Sequence, residues 1–267
     1  MNVSNKIAII TGSGRGLGKS IALKLAEFGA DIVVCDIDID SANTVAEEIK
    51  KQGNDVIAIQ LDVTNKTSIN NLLQTSMSKF KKIDILVNNA GVLAAPGWEN
   101  KDRPDETDWD FIYSVNVKGV AFTSEIVSSE MKKNCSGSIV NISSVAGRIG
   151  TLTSIPYGIS KAGVINLTQA HALELAPYNI NVNAVCPGIV WTDMWSRIAT
   201  RWLNIPDRAK GAADQQEIFK RTIQERTPLG REQTPEDIAN AVTFLASDAA
   251  SNITGQTLNV NGGSHMH

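Results

Sequence analysis

The sequence predicts a doubly wound α/β domain, in which a seven-stranded parallel sheet is flanked by helices on both faces. Short apolar runs alternate with segments of helical periodicity along the chain. A glycine-rich turn joins the first apolar run to the first helical segment. The alternation covers most of the 267 residues without a linker, a repeat or a low-complexity tract. We therefore expect a single domain spanning 1–267.

The predicted elements follow one another in a regular order up to residue 186. Strands are predicted at 7–10, 32–35, 56–61, 83–88, 138–142, 180–186 and 257–260. Helical patterns fall near 17–28, 41–51, 66–80, 107–134, 156–176 and 235–246. The last helix begins with Thr234, Pro235 and two acidic residues, which is a typical helix start.

Residues 188–230 interrupt the alternation. The segment is long, contains Trp191, Trp195 and Trp202, and shows no clear strand. Long loops in compact domains often form lids, so we predict a substrate-binding lid at 188–230, with an irregular stretch at 192–226. The alternative is an irregular helical excursion held together by aromatic packing.

The turn after the first strand has the composition of a phosphate-binding loop. Residues 11–18 read Thr-Gly-Ser-Gly-Arg-Gly-Leu-Gly and stand between a strand and a helix. Glycines let the backbone approach a ligand, and a helix N-terminus attracts a pyrophosphate. The second apolar run ends in Asp36, where a Rossmann-type unit contacts the adenosine ribose. A helix cap or a loop residue is the alternative for Asp36.

Tyr157 and Lys161 stand four residues apart, so they share one face of a predicted helix. A free phenol titrates near ~10, and a neighbouring ammonium group lowers that pKa toward neutrality. Such a pair can exchange a proton with an alcohol or a carbonyl oxygen. A pair of surface residues is the alternative, because this spacing is common in helices.

Composition excludes several other classes of protein. The net charge of −3 gives no reason to expect nucleic acid or an acidic membrane as a partner, and no apolar run is long enough to span a bilayer. Cys35 and Cys186 lie in apolar runs and are expected to be buried thiols in a reducing compartment, which favours a cytoplasmic protein. Three scattered histidines and no cysteine cluster argue against a metal site.

Taken together, the motifs resemble those of the short-chain dehydrogenase/reductase family over nearly the full chain. The matching residues are Thr11-Gly12 with Gly16 and Gly18, Asn88-Asn89-Ala90-Gly91, Asn116, Ser144, Tyr157, Lys161 and Pro187-Gly188. The resemblance implies a catalytic set of Asn116, Ser144, Tyr157 and Lys161. Ser144 would bind the substrate oxygen, Tyr157 would exchange the proton, Lys161 would lower the tyrosine pKa and hold a ribose, and Asn116 would anchor a water molecule. Ser143 competes with Ser144, and Asn116 is alternatively a structural residue in a helix interruption.

The resemblance also implies NAD as the cofactor. The implied binding residues are Gly12, Ser13, Arg15, Gly16, Leu17, Gly18, Asp36, Ile37, Asp62, Val63, Asn89, Ala90, Gly91, Tyr157, Lys161, Pro187, Gly188, Val190 and Thr192. Asp62 would touch adenine, or else cap a helix beside Thr64. Thr192 would lie near the nicotinamide carboxamide. Arg15 occurs in some relatives that prefer NADP, but the Asp36 carboxylate would repel a 2′-phosphate, so we expect NAD.

The substrate is predicted less sharply than the chemistry. The stretch from Pro187 to Trp195 and the ending from Ile253 to Gly263 look like those of sugar-alcohol and 2,3-butanediol dehydrogenases. We expect hydride transfer between NAD and a secondary alcohol or ketone, such as a small polyol or vicinal diol. The alternatives are a 3-oxoacyl-thioester reductase, a hydroxysteroid dehydrogenase and, from another class, a non-catalytic dinucleotide sensor. By family resemblance we expect a homotetramer or a dimer that associates through 107–134, 156–176 and 235–260.

Overall fold

The computed structural model describes residues 1–151 and 154–267, and its centre is one parallel sheet of seven strands. The strands are β1 (Ile7–Thr11), β2 (Asp31–Asp36), β3 (Val56–Gln60), β4 (Ile85–Asn88), β5 (Gly137–Ile142), β6 (Ile180–Pro187) and β7 (Thr257–Val260). Their order is β3-β2-β1-β4-β5-β6-β7, and every neighbouring pair is parallel. The winding direction reverses between β1 and β4, which creates a crevice at the carboxyl ends of these strands. The predicted Rossmann-type domain is confirmed.

Helices cover both faces of the sheet. They are α1 (Gly16–Glu27), α2 (Ile39–Lys51), α3 (Lys66–Phe80), α4 (Glu106–Tyr113), α5 (Val120–Asn134), α6 (Ile155–Leu175), α7 (Asp193–Leu203), α8 (Pro206–Ala209), α9 (Gln215–Arg226) and α10 (Pro235–Ala246). The predicted helices at 66–80 and 235–246 match these bounds, and those at 17–28, 41–51 and 156–176 differ by two residues or fewer. Within the two described ranges, no helix combines the length and the apolarity that a membrane crossing requires.

Alternate strand residues enter two separate cores. Ile10 and Val34 pack with residues of α1, α2 and α10, whereas Ile9 and Val33 pack with residues of α3, α5 and α6. Because each central strand is buried on both faces, its sequence is a continuous apolar run rather than an alternating one. Cys35 in β2 and Cys186 in β6 are buried, as predicted.

The predicted helix at 107–134 is two helices. A π-helical turn at Ser114–Gly119 separates α4 from α5. Apolar periodicity gives no warning of this interruption, because the extra residue is accommodated by side-chain hydrogen bonds rather than by a break in the apolar face. π-helical turns are rare and are frequently found at functional sites.

Most of 193–226 is helical, so the irregular stretch predicted at 192–226 is wrong, whereas the role of 188–230 as a substrate-binding lid stays a prediction. Helices α7 and α9 pack around a small apolar cluster of their own. The Trp195 ring lies edge-to-face against Trp202 at 5.6 Å and against Phe219 at 5.2 Å between centroids. The many charged residues of α9 hide its short apolar stripe from a periodicity analysis.

Candidate active site

One cavity of about 780 Å³ extends along the carboxyl ends of the strands, where the winding direction reverses. All but one of the predicted cofactor residues line it. They are Gly12, Arg15, Gly16, Leu17, Gly18, Asp36, Ile37, Asp62, Val63, Asn89, Ala90, Gly91, Tyr157, Lys161, Pro187, Gly188, Val190 and Thr192. The exception is Ser13, which is buried and whose hydroxyl donates to the Ile10 carbonyl at 2.7 Å. Ser13 therefore holds the turn against the end of β1 instead of facing the cavity.

The glycine-rich turn is held tightly against the sheet. Gly12 has a φ of +63°, which favours glycine, and a Cβ at Gly18 would lie 2.1 Å from the Gly12 carbonyl oxygen. The Asn89 side-chain amide donates to the carbonyls of Thr11 at 2.9 Å and Gly12 at 2.8 Å. Asn89 therefore shapes the turn, while the peptide edge of the turn faces the cavity.

The N-terminus of α1 leaves its backbone N–H groups available to the cavity. Gly16, Leu17 and Gly18 line the cavity, and in the described chain the Arg15 side chain makes no capping hydrogen bond. By contrast, α2, α3 and α10 are capped by Asp38, Asn65 and Thr234. An uncapped helix start with no acidic residue in its first turn is suited to a pyrophosphate.

Asp36 lies at the far end of this turn and is almost completely buried. Its carboxylate accepts hydrogen bonds from the backbone N–H of Gly14 at 2.9 Å and of Asp38 at 3.1 Å. A carboxylate fixed in this way presents a negative charge to any group in the adenosine end of the cavity. The neighbouring Ile37 is 63% exposed and brings no positive charge.

Asp62 and Arg15 occupy opposite sides of the same end. The Asp62 carboxylate accepts from the backbone N–H of Thr64 at 2.9 Å and from its hydroxyl at 2.7 Å. Asp62 therefore forms a local turn, and the cap of α3 is Asn65 rather than Asp62. The Arg15 guanidinium is largely exposed and lies 3.7 Å from the Asp193 carboxylate at the start of α7.

Ser143 and Ser144 follow β5 and point to different places. The Ser143 hydroxyl is buried and donates to the Lys161 carbonyl at 2.8 Å, so it joins β5 to α6. The Ser144 hydroxyl lines the cavity and hydrogen-bonds the side chain of Tyr157. Of the two candidates, only Ser144 is positioned beside the phenol.

Tyr157 and Lys161 lie near the start of α6, where Tyr157 is partly buried and Lys161 is buried. We expected the ammonium group to dominate and to lower the tyrosine pKa, but burial raises the pKa of Tyr157 to about 12, against a smaller lowering by the Ser144 hydrogen bond. Burial also lowers the pKa of Lys161 to about 8. The Lys161 Nζ donates to the Ile142 carbonyl at 2.8 Å and lies 5.7 Å from the centre of the Tyr157 ring. Each group is held in a medium that disfavours its charged form.

Asn116 sits inside the π-helical turn and is fully buried. Its side-chain oxygen accepts from the Val92 N–H at 2.8 Å, and its amide nitrogen donates to the Val92 carbonyl at 2.9 Å and to the Ser160 hydroxyl at 3.0 Å. This is the structural arrangement that the sequence left open as an alternative. Asn116 does not line the cavity, although a Cβ added at Gly91 would lie 3.4 Å from its oxygen.

The loop after β6 borders the cavity on the side opposite β1. The Gly188 N–H donates to the Gln233 side chain at 2.9 Å and to the Val260 carbonyl at 3.1 Å. The Thr192 hydroxyl accepts from the Trp195 N–H at 3.4 Å and caps α7. The loop therefore fixes the start of α7 at the rim of the cavity.

Several cavity residues were not singled out from the sequence. They are Leu93, Phe111, Ser154, Met194, Ile198, Thr222 and Arg226. Most belong to the segment after β4 or to α7 and α9, where local sequence gives no sign of which helix face meets the cavity. Ser154 was detectable in part, because it immediately precedes the Tyr157 helix. Among the described residues, no group of three or more histidine, cysteine or acidic side chains is placed to hold a metal ion.

Comparisons with known proteins cover nearly the whole chain. A family model described as an enoyl-(acyl carrier protein) reductase matches residues 12–265. The chain is 39% identical over 267 residues to the 3-oxoacyl-(acyl-carrier-protein) reductase of Staphylococcus epidermidis, covering 98% of this chain and 100% of that protein. It is 38% identical over 263 residues to a subunit of a hydroxy(phenyl)methylsuccinyl-CoA dehydrogenase from Thauera aromatica, covering 98% of each. The crystal structure of an NAD⁺-bound xylitol dehydrogenase matches with a TM-score of 0.88 at 31% identity, covering 98% of this chain and 100% of that one.

Proposed function

Because the chain belongs to the short-chain dehydrogenase/reductase family, we propose that it is an NAD-dependent dehydrogenase that acts on one secondary hydroxyl of a small polyol or vicinal diol. The observation that carries the chemistry is the placement of Ser144, Tyr157 and Lys161 in the same cavity as an uncapped, glycine-rich helix start. Families of this kind bind a nicotinamide dinucleotide, and the cavity offers a place for each of its parts.

The residues fit such a cofactor on physical grounds. The free N–H groups at Gly16 to Gly18 suit the pyrophosphate, and Asp36 suits the hydroxyls of the adenosine ribose. Asp62 and Val63 would border the adenine, while Pro187, Gly188, Val190 and Thr192 would border the nicotinamide. When bound, the cofactor supplies the hydride acceptor for alcohol oxidation.

Side chains of the protein then carry out the proton transfer. The Tyr157 oxygen takes the proton of the substrate hydroxyl during oxidation and returns it to the carbonyl oxygen during reduction. Ser144 donates to the same substrate oxygen and stabilises negative charge that develops there. Lys161 favours the phenolate by its positive charge and, by family resemblance, holds the nicotinamide ribose. Asn116 holds the π-helical turn beside Gly91 and so positions the floor of the site.

The preference for NAD over NADP rests on Asp36. A 2′-phosphate on the ribose would bring two like charges together at a buried carboxylate, where screening by water is weak. Arg15 would favour NADP by its positive charge, but its largely exposed guanidinium lies near the Asp193 carboxylate. The NAD⁺-bound state of the similar xylitol dehydrogenase supports the same preference.

The substrate class rests on the similarity to xylitol dehydrogenase and on the resemblance of residues 187–195 and 253–263 to sugar-alcohol and 2,3-butanediol dehydrogenases. A second candidate is a 3-oxoacyl-thioester reductase. It is favoured by the relatives from Staphylococcus epidermidis and Thauera aromatica, whose names specify acyl-carrier-protein and CoA substrates. The two candidates share every proposed catalytic residue and differ in substrate and cofactor.

A panel of substrates with both cofactors separates them. We would measure the reduction of NAD and NADP with 2,3-butanediol, xylitol and hexitols, and the oxidation of NADH and NADPH with acetoacetyl-CoA. The proposal expects NAD-linked oxidation of at least one diol or polyol, and the variant Asp36→Ala is expected to weaken the preference for NAD. Strong NADPH-linked thioester reduction without any diol activity would select the second candidate.

A further inference from the structure

Helix α7 is tied to the segment that follows β4, at the end of the cavity that holds Tyr157. We call residues 93–102 the wall segment. Leu93 of this segment and Met194 and Ile198 of α7 all line the cavity. These three side chains pack in one apolar cluster with Trp98 and the ring of Tyr157. The wall segment and α7 together therefore form the surface beside the proposed proton donor.

Arg197 makes the central connection between the two parts. Its Nε donates to the Glu99 carboxylate, and its terminal nitrogen donates to the Ala95 carbonyl at 3.2 Å. The hydrogen bond and the positive charge of Arg197 lower the pKa of Glu99, so the pair is ionised at neutral pH. Arg197 itself lines the cavity, and the pair is partly shielded, with side-chain exposures of 34% and 21%. Glu99 therefore neutralises a cation that would otherwise face the substrate.

Arg201 makes a second connection one helical turn along. Its guanidinium donates to the carbonyls of Trp98 at 2.8 Å and Asp102 at 2.9 Å, and it lies 4.4 Å from the centre of the Trp98 ring. Arg197 and Arg201 are four residues apart, so they extend from the same face of α7. Two arginines thus hold one helix face against one short segment.

The wall segment is also fixed from its other side. The buried Asp108 of α4 accepts from the Ala95 N–H at 3.0 Å and from the Lys101 ammonium group at 2.8 Å. The Ser154 hydroxyl donates to the Leu93 carbonyl at 3.2 Å, which joins the segment to the start of α6. With its ends fixed to α4 and α6, the wall segment is a rigid support onto which α7 is docked.

We propose that Glu99 and Arg197 are a specificity-determining pair, which docks α7 on the wall segment and keeps the substrate surface beside Tyr157 apolar and uncharged. The pair favours a substrate whose group next to the reacting carbon is neutral, and disfavours a carboxylate at that position. Both residues act by positioning and by charge neutralisation rather than in the proton transfer. This inference rests on the proposed function in placing the substrate at this end of the cavity.

The test compares three variants with a matched control. Glu99→Gln leaves the Arg197 charge unpaired, Arg197→Met removes the cation, and the double variant removes both charges. Arg231→Met is the control, because Arg231 forms an exposed pair with Asp237 at 3.4 Å and does not line the cavity. The probes are 2,3-butanediol and 3-hydroxybutyrate, which present a neutral group and a carboxylate near the reacting carbon.

We expect Glu99→Gln to lower the ratio of kcat/KM for 2,3-butanediol over 3-hydroxybutyrate by at least tenfold, mainly through KM. Arg197→Met should raise KM for 2,3-butanediol without any gain on 3-hydroxybutyrate. The double variant should recover most of the parent ratio, because the cation that Glu99 neutralises is then absent. The affinity for NAD should stay within twofold in all variants. A ratio that is the same in Glu99→Gln and in Arg231→Met would overturn the inference.

Amide hydrogen exchange provides a readout that needs no substrate. In Glu99→Gln and in Arg197→Met, the amides of the wall segment and those of α7 should both exchange at least tenfold faster than in the parent protein. Arg231→Met should leave these exchange rates unchanged. Unchanged exchange in both variants would show that the pair does not dock α7. A parent enzyme that oxidises no diol or polyol would count against the proposed function, and the exchange rates would still decide the docking.

Discussion

At the scale of single residues, the hydroxyl of Tyr157 is the group on which the proposed chemistry depends. Its pKa of about 12 keeps it protonated at neutral pH, as a proton donor for carbonyl reduction must be. We expect Tyr157→Phe to lower kcat by about 10² to 10⁴, because the loss of a general acid typically costs that much. Affinity for NAD and the far-ultraviolet circular dichroism spectrum should be unchanged. Turnover within a few-fold of the parent would rule out this role.

The same pKa predicts opposite pH dependences for the two directions. Oxidation requires the phenolate. At pH values below the pKa, the phenolate fraction increases about tenfold for each unit by which the pH is raised. The kcat/KM for alcohol oxidation should therefore climb from pH 6 to pH 9, while that for ketone reduction should not. The climb should become shallower above the Lys161 pKa of about 8, because the positive charge beside the phenol is then lost. Initial rates measured in both directions over this range, at constant ionic strength, test the assignment. Parallel profiles would point to another group.

Lys161 carries a cost for folding that can be measured separately from activity. Its pKa is about 8 in the folded protein and 10.5 as a free side chain. Between these values the unfolded chain binds the proton and the folded protein does not, so the lysine contribution to stability rises with pH. Below pH 8 both states are protonated and the folded protein bears the full penalty of the buried charge.

We therefore expect Lys161→Met to be most stabilising, relative to the parent, at pH 6 to 7, and to lose this advantage as pH rises toward 10.5. Denaturant unfolding of both proteins without cofactor at four pH values measures the difference. Lys24→Met is a useful control, since the pKa of Lys24 is raised by Glu236 and Glu27 and its substitution should not show this pattern. A difference that does not change with pH would refute the buried-charge explanation.

At the scale of elements, the glycine-rich turn is the tightest piece of backbone packing in the site. A Cβ at Gly18 would meet the Gly12 carbonyl at 2.1 Å and the Asn89 amide at 2.5 Å, so the turn must shift to admit it. Overpacking of this kind typically costs about 1–3 kcal/mol. Gly18→Ala should lower NAD affinity by at least tenfold in a fluorescence titration. The control Gly150→Ala, where no atom of the described residues lies within 4 Å, should bind NAD as the parent does.

Local sequence patterns predicted the strands of the sheet and the helices that pack directly on it. Strand β7 at 257–260 and helix α10 at 235–246 match the prediction, and the start of α10 was recognisable from its capping residues. A helix interruption at Asn116 was left open only as an alternative, since the π-helical turn depends on the backbone of Val92, 24 residues away in sequence. Helix α9 was missed because Ile218, Phe219 and Ile223 are covered by α7 and by Trp191 rather than by the central sheet.

The residues of the candidate site divide in the same way, into those with local sequence signals and those whose role depends on distant parts of the chain. Glycines, Asp36 and Tyr157 carry local signals, because each needs particular neighbours in sequence. Spacing to Tyr157 favoured Ser144 over Ser143, and the structure shows what Ser143 does instead, since its hydroxyl donates to the Lys161 carbonyl on another element. The tyrosine pKa was mispredicted because sequence spacing reveals the ammonium group but not the burial of the phenol.

At the scale of the whole molecule, apolar side chains are exposed on the helices that the family resemblance assigns to association. Trp109 and Tyr113 on α4 are 40% and 52% exposed, and Ile159 and Leu173 on α6 are 55% and 81% exposed. Single exposed apolar residues are ordinary, but several of them on two neighbouring helices favour a protein interface. We expect a second copy of the chain to cover α4, α5 and α6, and further copies to meet at α10 and β7.

Replacing Leu173 by a charged residue tests this arrangement. In a homotetramer or dimer, Leu173→Glu would place a carboxylate in an apolar contact between copies, whereas in a monomer it would only extend into water. Multi-angle light scattering at micromolar concentration should show a tetramer or dimer for the parent and a smaller species for Leu173→Glu. Leu229→Glu is the matched control, because Leu229 is 65% exposed but lies outside these helices. A parent protein that is monomeric under these conditions would refute the expected assembly, and equal masses for the two variants would remove Leu173 from the interface.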